Sequence, residues 1–128
     1  MRLALQWAGV QALRLPDTYY AQLAAEYAAR RTILTTALTD AGFRIFVPEG
    51  AYYVLADIGA FGFDDDVQCC DWLVREAGVA AVPGSSFYRH PELGRRLIRF
   101  TFCKREDTLR EAARRLARVP ELLHRRQA

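Results

Sequence analysis

The chain has 128 residues, a formal net charge of +3 and a hydrophobic share of 52%. That is the length of one domain, with apolar surface enough for a packed core, which excludes a multidomain array and a wholly disordered chain. Three cysteines, two of them adjacent (Cys69 and Cys70), and two histidines (His90 and His124) supply neither a disulfide framework nor a zinc ligand set, and no apolar run approaches the length of a membrane span.

Reduced thiols in a cytoplasmic protein are the natural reading. Seventeen of the 18 basic residues are Arg, and Lys104 is the single Lys. Met1-Arg2-Leu3-Ala4-Leu5 has a faint look of a signal peptide, but Gln6 and Gln11 interrupt the apolar run and no small-residue cleavage site follows.

Residues 4–13 fit a short amphipathic helix, with Leu5, Ala8, Ala12 and Leu13 near one face. Leu15-Pro16-Asp17 breaks it, and Asp17 or Thr18 is placed to cap the next helix. Residues 18–41 form that helix, the longest predicted: Tyr20, Leu23, Tyr27, Leu34 and Leu38 recur at helical spacing, and Gly42 supplies the stop. Alternation over residues 43–47 predicts a strand, Pro48-Glu49-Gly50 a turn, and residues 51–58 a second strand paired antiparallel to the first. A loop covers residues 59–63. Asp64-Asp65-Asp66 then opens a helix, where carboxylates suit the positive end of the dipole and offer a cap. A metal site is the weaker reading, because consecutive aspartates point different ways around a helix. Val67, Cys70, Leu73, Val74 and Ala77 make the apolar stripe of this helix, and Gly78 ends it.

Residues 79–82 predict a short buried strand. Pro83-Gly84-Ser85-Ser86-Phe87-Tyr88 is a loop with two aromatics, which either line a pocket or pack onto the core. Residues 90–94 read as an exposed connection. Residues 97–103 are the clearest strand, with Ile98, Phe100 and Phe102 on a core face and Leu97, Arg99, Thr101 and Cys103 on the other. Arg99 is its odd residue. A guanidinium in an apolar strand is costly unless something pairs with it or it snorkels out at a sheet edge. Residues 104–118 form the closing helix on Leu109, Ala112, Ala113 and Leu116, and Pro120 stops it or begins a frayed tail. Arg110, Arg114, Arg115, Arg118, Arg125 and Arg126 crowd this end. With Glu106, Asp107, Glu111 and Glu121 among them and no aromatics between, they read as a solvated helix face in preference to a nucleic-acid footprint. These elements imply an α+β fold class: a small, largely antiparallel sheet with helices packed over it.

Five segments stand in a telling order: Tyr27-Ala28-Ala29-Arg30-Arg31 with Leu34 and Leu38-Thr39-Asp40-Ala41-Gly42-Phe43; Pro48-Glu49-Gly50-Ala51-Tyr52-Tyr53; Ala77-Gly78-Val79-Ala80-Ala81-Val82-Pro83-Gly84-Ser85-Ser86-Phe87-Tyr88; Ile98-Arg99-Phe100-Thr101-Phe102; and Leu109 with Glu111-Ala112 and Arg115-Leu116. Together they resemble the C-terminal small domain of the class I (fold type I) aminotransferases that depend on pyridoxal 5'-phosphate (PLP), in the aspartate, kynurenine and methionine branch. The resemblance implies residues 1–15 as a connecting helix and residues 16–128 as the small domain. It implies that Arg99 binds the α-carboxylate of amino-acid and 2-oxo-acid substrates, a task for which a guanidinium fork sets orientation as well as position. Arg95 and Arg96 precede the apolar strand core and read as exposed. Gly50 and Tyr52 resemble the segment that approaches the substrate side chain, and Phe87 the aromatic near the mouth of the site. For Tyr52 and Phe87, core packing is an equal reading.

The family's Schiff-base lysine, its partner for the pyridine nitrogen and its phosphate cup belong to a large domain that has no counterpart here, and Lys104 does not stand in the lysine motif. The expectation is therefore a substrate-binding domain cut from a larger homodimeric enzyme, with no nucleic acid or membrane as partner and no catalysis alone. Residues 1–15 would be the surface turned toward the missing large domain. In the family the small domain moves against the large one when substrate binds. The alternative is a stand-alone carboxylate-binding module without catalysis.

Overall fold

The computed structural model describes residues 2–127; Met1 and Ala128, the outer limits of the two predicted segments, lie outside the described residues. The elements run α1 (Arg2–Leu13), α2 (Asp17–Asp40), β1 (Arg44–Phe46), β2 (Tyr53–Asp57), α3 (Asp66–Trp72), β3 (Val82–Pro83), β4 (Leu97–Thr101), α4 (Glu106–Leu116) and α5 (Val119–Gln127). A π-helical turn, Leu73–Ala77, continues α3, and 3-10 turns occupy Gly59–Phe61, Gly84–Phe87 and Pro91–Gly94. The four strands form one sheet in the order β1-β2-β4-β3, every neighbouring pair antiparallel. The expected α+β architecture is therefore present.

Strand parity makes the core. Ile98, Phe100 and Phe102 are buried, and Ile98 and Phe100 face Ala56 and Val54 across the ladder. Leu34 and Leu38 of α2, Leu73, Leu109 and Leu116 of α4, and Val119 and Leu123 of α5 pack into the same cluster. Phe43 stands edge-on to Phe61 at 4.4 Å and to Phe100 at 5.6 Å. The helices of this cluster join the core-facing residues of the sheet, and Tyr53, Leu55, Leu97 and Arg99 stay half-exposed on its other face.

Several expectations are corrected. Pro16 in extended conformation, not Asp17 or Thr18, is the N-cap of α2, with no side-chain cap bond. Tyr20 and Leu23 are exposed, because a helix of 24 residues runs about 36 Å while a five-residue strand spans only about 17 Å, so the first half of α2 overhangs the sheet. Residues 3–13 of α1 are exposed, Trp7 at 64% included, and the bond from the Tyr20 hydroxyl to α1 is accepted by the Ala12 carbonyl. Cys69 is buried in place of Val67 and Val74: the buried positions Asp66, Cys69, Cys70, Leu73 and Ala77 keep helical spacing, and the two valines border that face on its exposed side. Of the strand expected at 79–82, only Val82–Pro83 joins a ladder; Val79 is buried but unpaired, and Val82 lies exposed at the sheet edge. Pro120 neither stops the closing helix, which ends at Leu116, nor begins a frayed tail, but sits in the first turn of α5, where its missing N–H costs nothing. Gly94, in the segment expected to be exposed, is buried.

The predicted glycine stops, the aspartate cap and the paired arginine faces are present. Gly42 and Gly78 end their helices with φ of 89° and 70°. Asp65 caps α3, accepting from the Gln68 backbone at 2.8 Å, while Gln68 Oε1 accepts from the Asp64 N–H. The C-terminal arginines pair along their helices, Arg110 with Glu106, Arg114 and Arg115 with Glu111, and Arg125 with Glu121. No helix is long and apolar enough to cross a membrane, and no cluster of metal-ligating side chains occurs among the described residues.

Burial pushes the Cys69 and Cys70 thiols up to about 12 from the ordinary 9.0, with neighbouring acidic groups adding to it. Cys103 is exposed. A disulfide-exchange reagent at pH 8 is therefore expected to titrate one thiol in the folded chain and three in denaturant; rapid reaction of all three without denaturant contradicts this packing. Because the folded value is raised above the unfolded one, the stabilisation from these thiols is complete below pH 9 and is lost as pH climbs toward 12.

Candidate functional site

Arg99 occupies the middle of β4, with Leu55 of β2 opposite on one side and Val82 of β3 on the other. It is therefore on an inner strand, and the snorkelling-at-an-edge reading does not hold. Its guanidinium carbon lies 3.7 Å from the centroid of the Phe87 ring and 4.9 Å from that of Tyr53. Tyr53 pairs with Thr101, two positions along from Arg99, a diagonal that an aromatic side chain can span. Phe87 ends the 3-10 turn after β3. The two rings take the place of a counter-ion: each cation–π contact is worth about 0.5–1 kcal/mol when exposed and more when water is excluded. Among the described residues no carboxylate pairs with Arg99, and its nitrogens keep their donor capacity. A flat cation with its face stacked and its edge free can accept a carboxylate bidentately.

The neighbouring arginines are engaged elsewhere. Arg95 reaches toward Asp65 at 3.9 Å, and the Arg96 guanidinium lies over Gly59. Lys104 lines a separate groove of about 600 Å³ with Leu34, Phe100 and Leu109, a lining that does not include Arg99.

Of the residues singled out in the sequence, Phe87 and Arg99 are brought together. Tyr52 is exposed, with its ring edge-on to Tyr53 at 5.7 Å, and its carbonyl accepts from the Phe102 N–H and the Thr101 hydroxyl. Gly50 is not placed against Arg99; it lines a cavity of about 290 Å³ with Tyr27, Arg31 and Phe102. Arg31 fixes that turn by donating to the Pro48 carbonyl at 2.8 Å. The residue missed by sequence reasoning is Tyr53. Its signal is strand parity, which selects Tyr53 over Tyr52 only once the register of β2 on β4 is known.

The comparisons agree with one another. The family model described as "Aminotransferase class I and II" matches residues 2–116. The probable N-succinyldiaminopimelate aminotransferase of Mycobacterium tuberculosis is 39% identical over 118 residues, covering 86% of this chain and 30% of the relative. The methionine aminotransferase of Escherichia coli is 41% identical over 107 residues, covering 84% of this chain and 28% of the relative. The solved structure of the M. tuberculosis N-succinyldiaminopimelate aminotransferase superposes with a TM-score of 0.79 at 41% identity, over 89% of this chain and 30% of that one. A Thermus thermophilus aspartate aminotransferase solved with maleate gives 0.73 at 36% identity, over 89% of this chain and 29% of that one. The chain thus spans about 30% of the length of the relatives it matches.

Proposed function

This chain belongs to the class I and II aminotransferases, and from that premise we propose that it is the C-terminal small domain of a PLP-dependent enzyme, the part that holds the substrate carboxylate. The observation that carries the reading is the Arg99 guanidinium, stacked on Phe87 and Tyr53 with no anion of its own. Such a group on an inner strand has been desolvated on its faces and left with unspent donors on its edge. An α-carboxylate, common to the amino acid and the 2-oxo acid that exchange roles in transamination, satisfies them. The maleate in the T. thermophilus structure is a dicarboxylate, consistent with an anion-binding task in this family.

The residues present do not fit a covalently held PLP. Lys104 is the only lysine, and it lies in the groove beside α4 with Leu109 and Ala112. The cofactor, which would serve as the electron sink for the amino group's carbon, then belongs to the two-thirds of the relatives' length that this chain does not match. Residues 1–15 connect to that part, and residues 16–128 form the small domain. The exposed apolar side chains of α1, with Tyr19, Tyr20 and Leu23 of α2, are the surface it covers. The whole enzyme is a cytoplasmic homodimer, and this chain alone is inactive.

A chimera tests the reading: this chain replaces the matched part of the E. coli methionine aminotransferase. The expected result is PLP-dependent transamination of methionine. A chimera that folds and takes up PLP but transfers no amino group overturns it. If the isolated chain nonetheless bound succinate, the stand-alone module would be the better account.

A further inference from the structure

We infer that Asp66 is the positioning residue of the carboxylate site: by accepting a hydrogen bond from the Ser85 backbone it sets the turn that carries Phe87, and through Phe87 the attitude of the Arg99 guanidinium. The inference rests on the proposed function for its purpose, while its geometry stands alone.

Asp66 is 1% exposed and is the one buried charged side chain among the described residues. Its neighbour Asp65 does the capping of α3. Asp66 Oδ2 instead accepts from the Ser85 N–H at 2.7 Å, across 19 positions of sequence. A buried carboxylate without a paired cation costs several kcal/mol, so a placement that offers it one backbone donor is poor as a stabilising device and good as a locating one. Ser85 is the second residue of the Gly84–Phe87 turn, and its carbonyl accepts from the Tyr88 N–H. The same turn is also packed backbone to backbone. A Cβ on Gly94 would lie 2.5 Å from the Gly84 carbonyl and the Ser85 nitrogen, and one on Gly84 would lie 2.4 Å from the Leu97 oxygen. The turn is thus held by the Asp66 carboxylate and packed tightly on the Gly94–Leu97 backbone. Phe87 leaves it 3.7 Å under the Arg99 guanidinium. Asp66 touches no substrate; it acts on the cation through the turn and the ring.

Proton–nitrogen NMR of the whole 128-residue chain tests this without any ligand. The Arg99 Nε–H resonance, assigned by its disappearance in Arg99→Lys, is expected to be ring-current shifted by both rings, with Phe87→Leu giving the position that Tyr53 alone produces. Asp66→Ala is expected to move the resonance to the Phe87→Leu position while the core methyls of Leu38 and Ile98 keep theirs. Asp66→Asn, which still offers an oxygen to the Ser85 N–H, is expected to retain the wild-type shift. Should Asp66→Ala fail to fold, Ser85→Pro removes the donor in place of the acceptor, and the same move is expected. An Arg99 resonance unmoved in Asp66→Ala or Ser85→Pro overturns the inference, whatever stability they lose, as does an Asp66→Asn that loses the shift. Titrating wild-type chain with succinate separates the two claims: a silent Arg99 resonance there counts against carboxylate binding and leaves the positioning result intact.

Discussion

Replacing Arg99 by Gln in the methionine aminotransferase chimera is expected to lower kcat/KM for the amino donor by about 10²- to 10⁴-fold. The bound carboxylate would accept two charge-assisted hydrogen bonds from the guanidinium, each worth roughly 1.5–3 kcal/mol, and each 1.4 kcal/mol is about tenfold. Gln retains a donor but neither the charge nor the fork. Arg99→Lys separates the two contributions, because it restores the charge as a point without the planar pair of donors; a partial recovery of about tenfold over Gln is expected. Steady-state kinetics against methionine and against its 2-oxo acid read both halves of the reaction, and both should fall, since each partner carries the same carboxylate. A variant within about threefold of the parent chimera would remove Arg99 from the site.

Phe102→Ala is expected to cost the isolated chain about 3–5 kcal/mol. Phe102 is 1% exposed, lies edge-on to Tyr27 at 6.3 Å and donates its backbone N–H to the Tyr52 carbonyl at 2.9 Å. Its ring sits where β4 leaves the sheet and α2 crosses it, so truncation opens a void that the clamped backbone cannot close. Domains of this size hold only about 5–15 kcal/mol in all, and at an m-value near 2 kcal/mol/M the urea midpoint should fall by roughly 2 M. Trp72, half-buried with its ring tilted against Phe63 at 5.3 Å, is the fluorescent reporter. A midpoint shift under about 0.5 M would mean that this corner is not packed as described.

How far the sequence can be read depends on the reach of each physical signal. Strand parity is a local signal, and it locates Ile98, Phe100 and Phe102 in the core and Arg99 opposite them. Helical periodicity locates Leu34, Leu38, Leu109 and Leu116 for the same reason. It misleads at Val67 and Val74, because apolar side chains that border the buried face pass for members of it, while Asp66, Cys69, Cys70, Leu73 and Ala77 keep the helical spacing. The site is only half legible. That Arg99 needs a partner is evident; that two aromatic faces supply it depends on the pairing of Tyr53 with Thr101 and on the seating of the Gly84–Phe87 turn, both long-range facts. Asp66 is hidden inside a run of three aspartates whose capping reading is right for Asp65 and incomplete for its neighbour. Pro120 reads as a terminator because a prolyl residue is compatible with a helix only at its start, and the helix it starts lies beyond the periodic stretch.

The ladder on both sides of β4 has a thermodynamic consequence. The Arg99 Cα is held by Leu55 on one flank and Val82 on the other, so its backbone has no independent degree of freedom to surrender when a ligand arrives. What remains are the side-chain torsions, and two rings already restrict the end of that lever. Association at this residue therefore forfeits little conformational entropy, and the cation behaves as a fixed template. On the proposed function, a carboxylate arriving at the wrong angle would meet no adaptive movement to recover the second hydrogen bond, and discrimination would be angular before it is chemical.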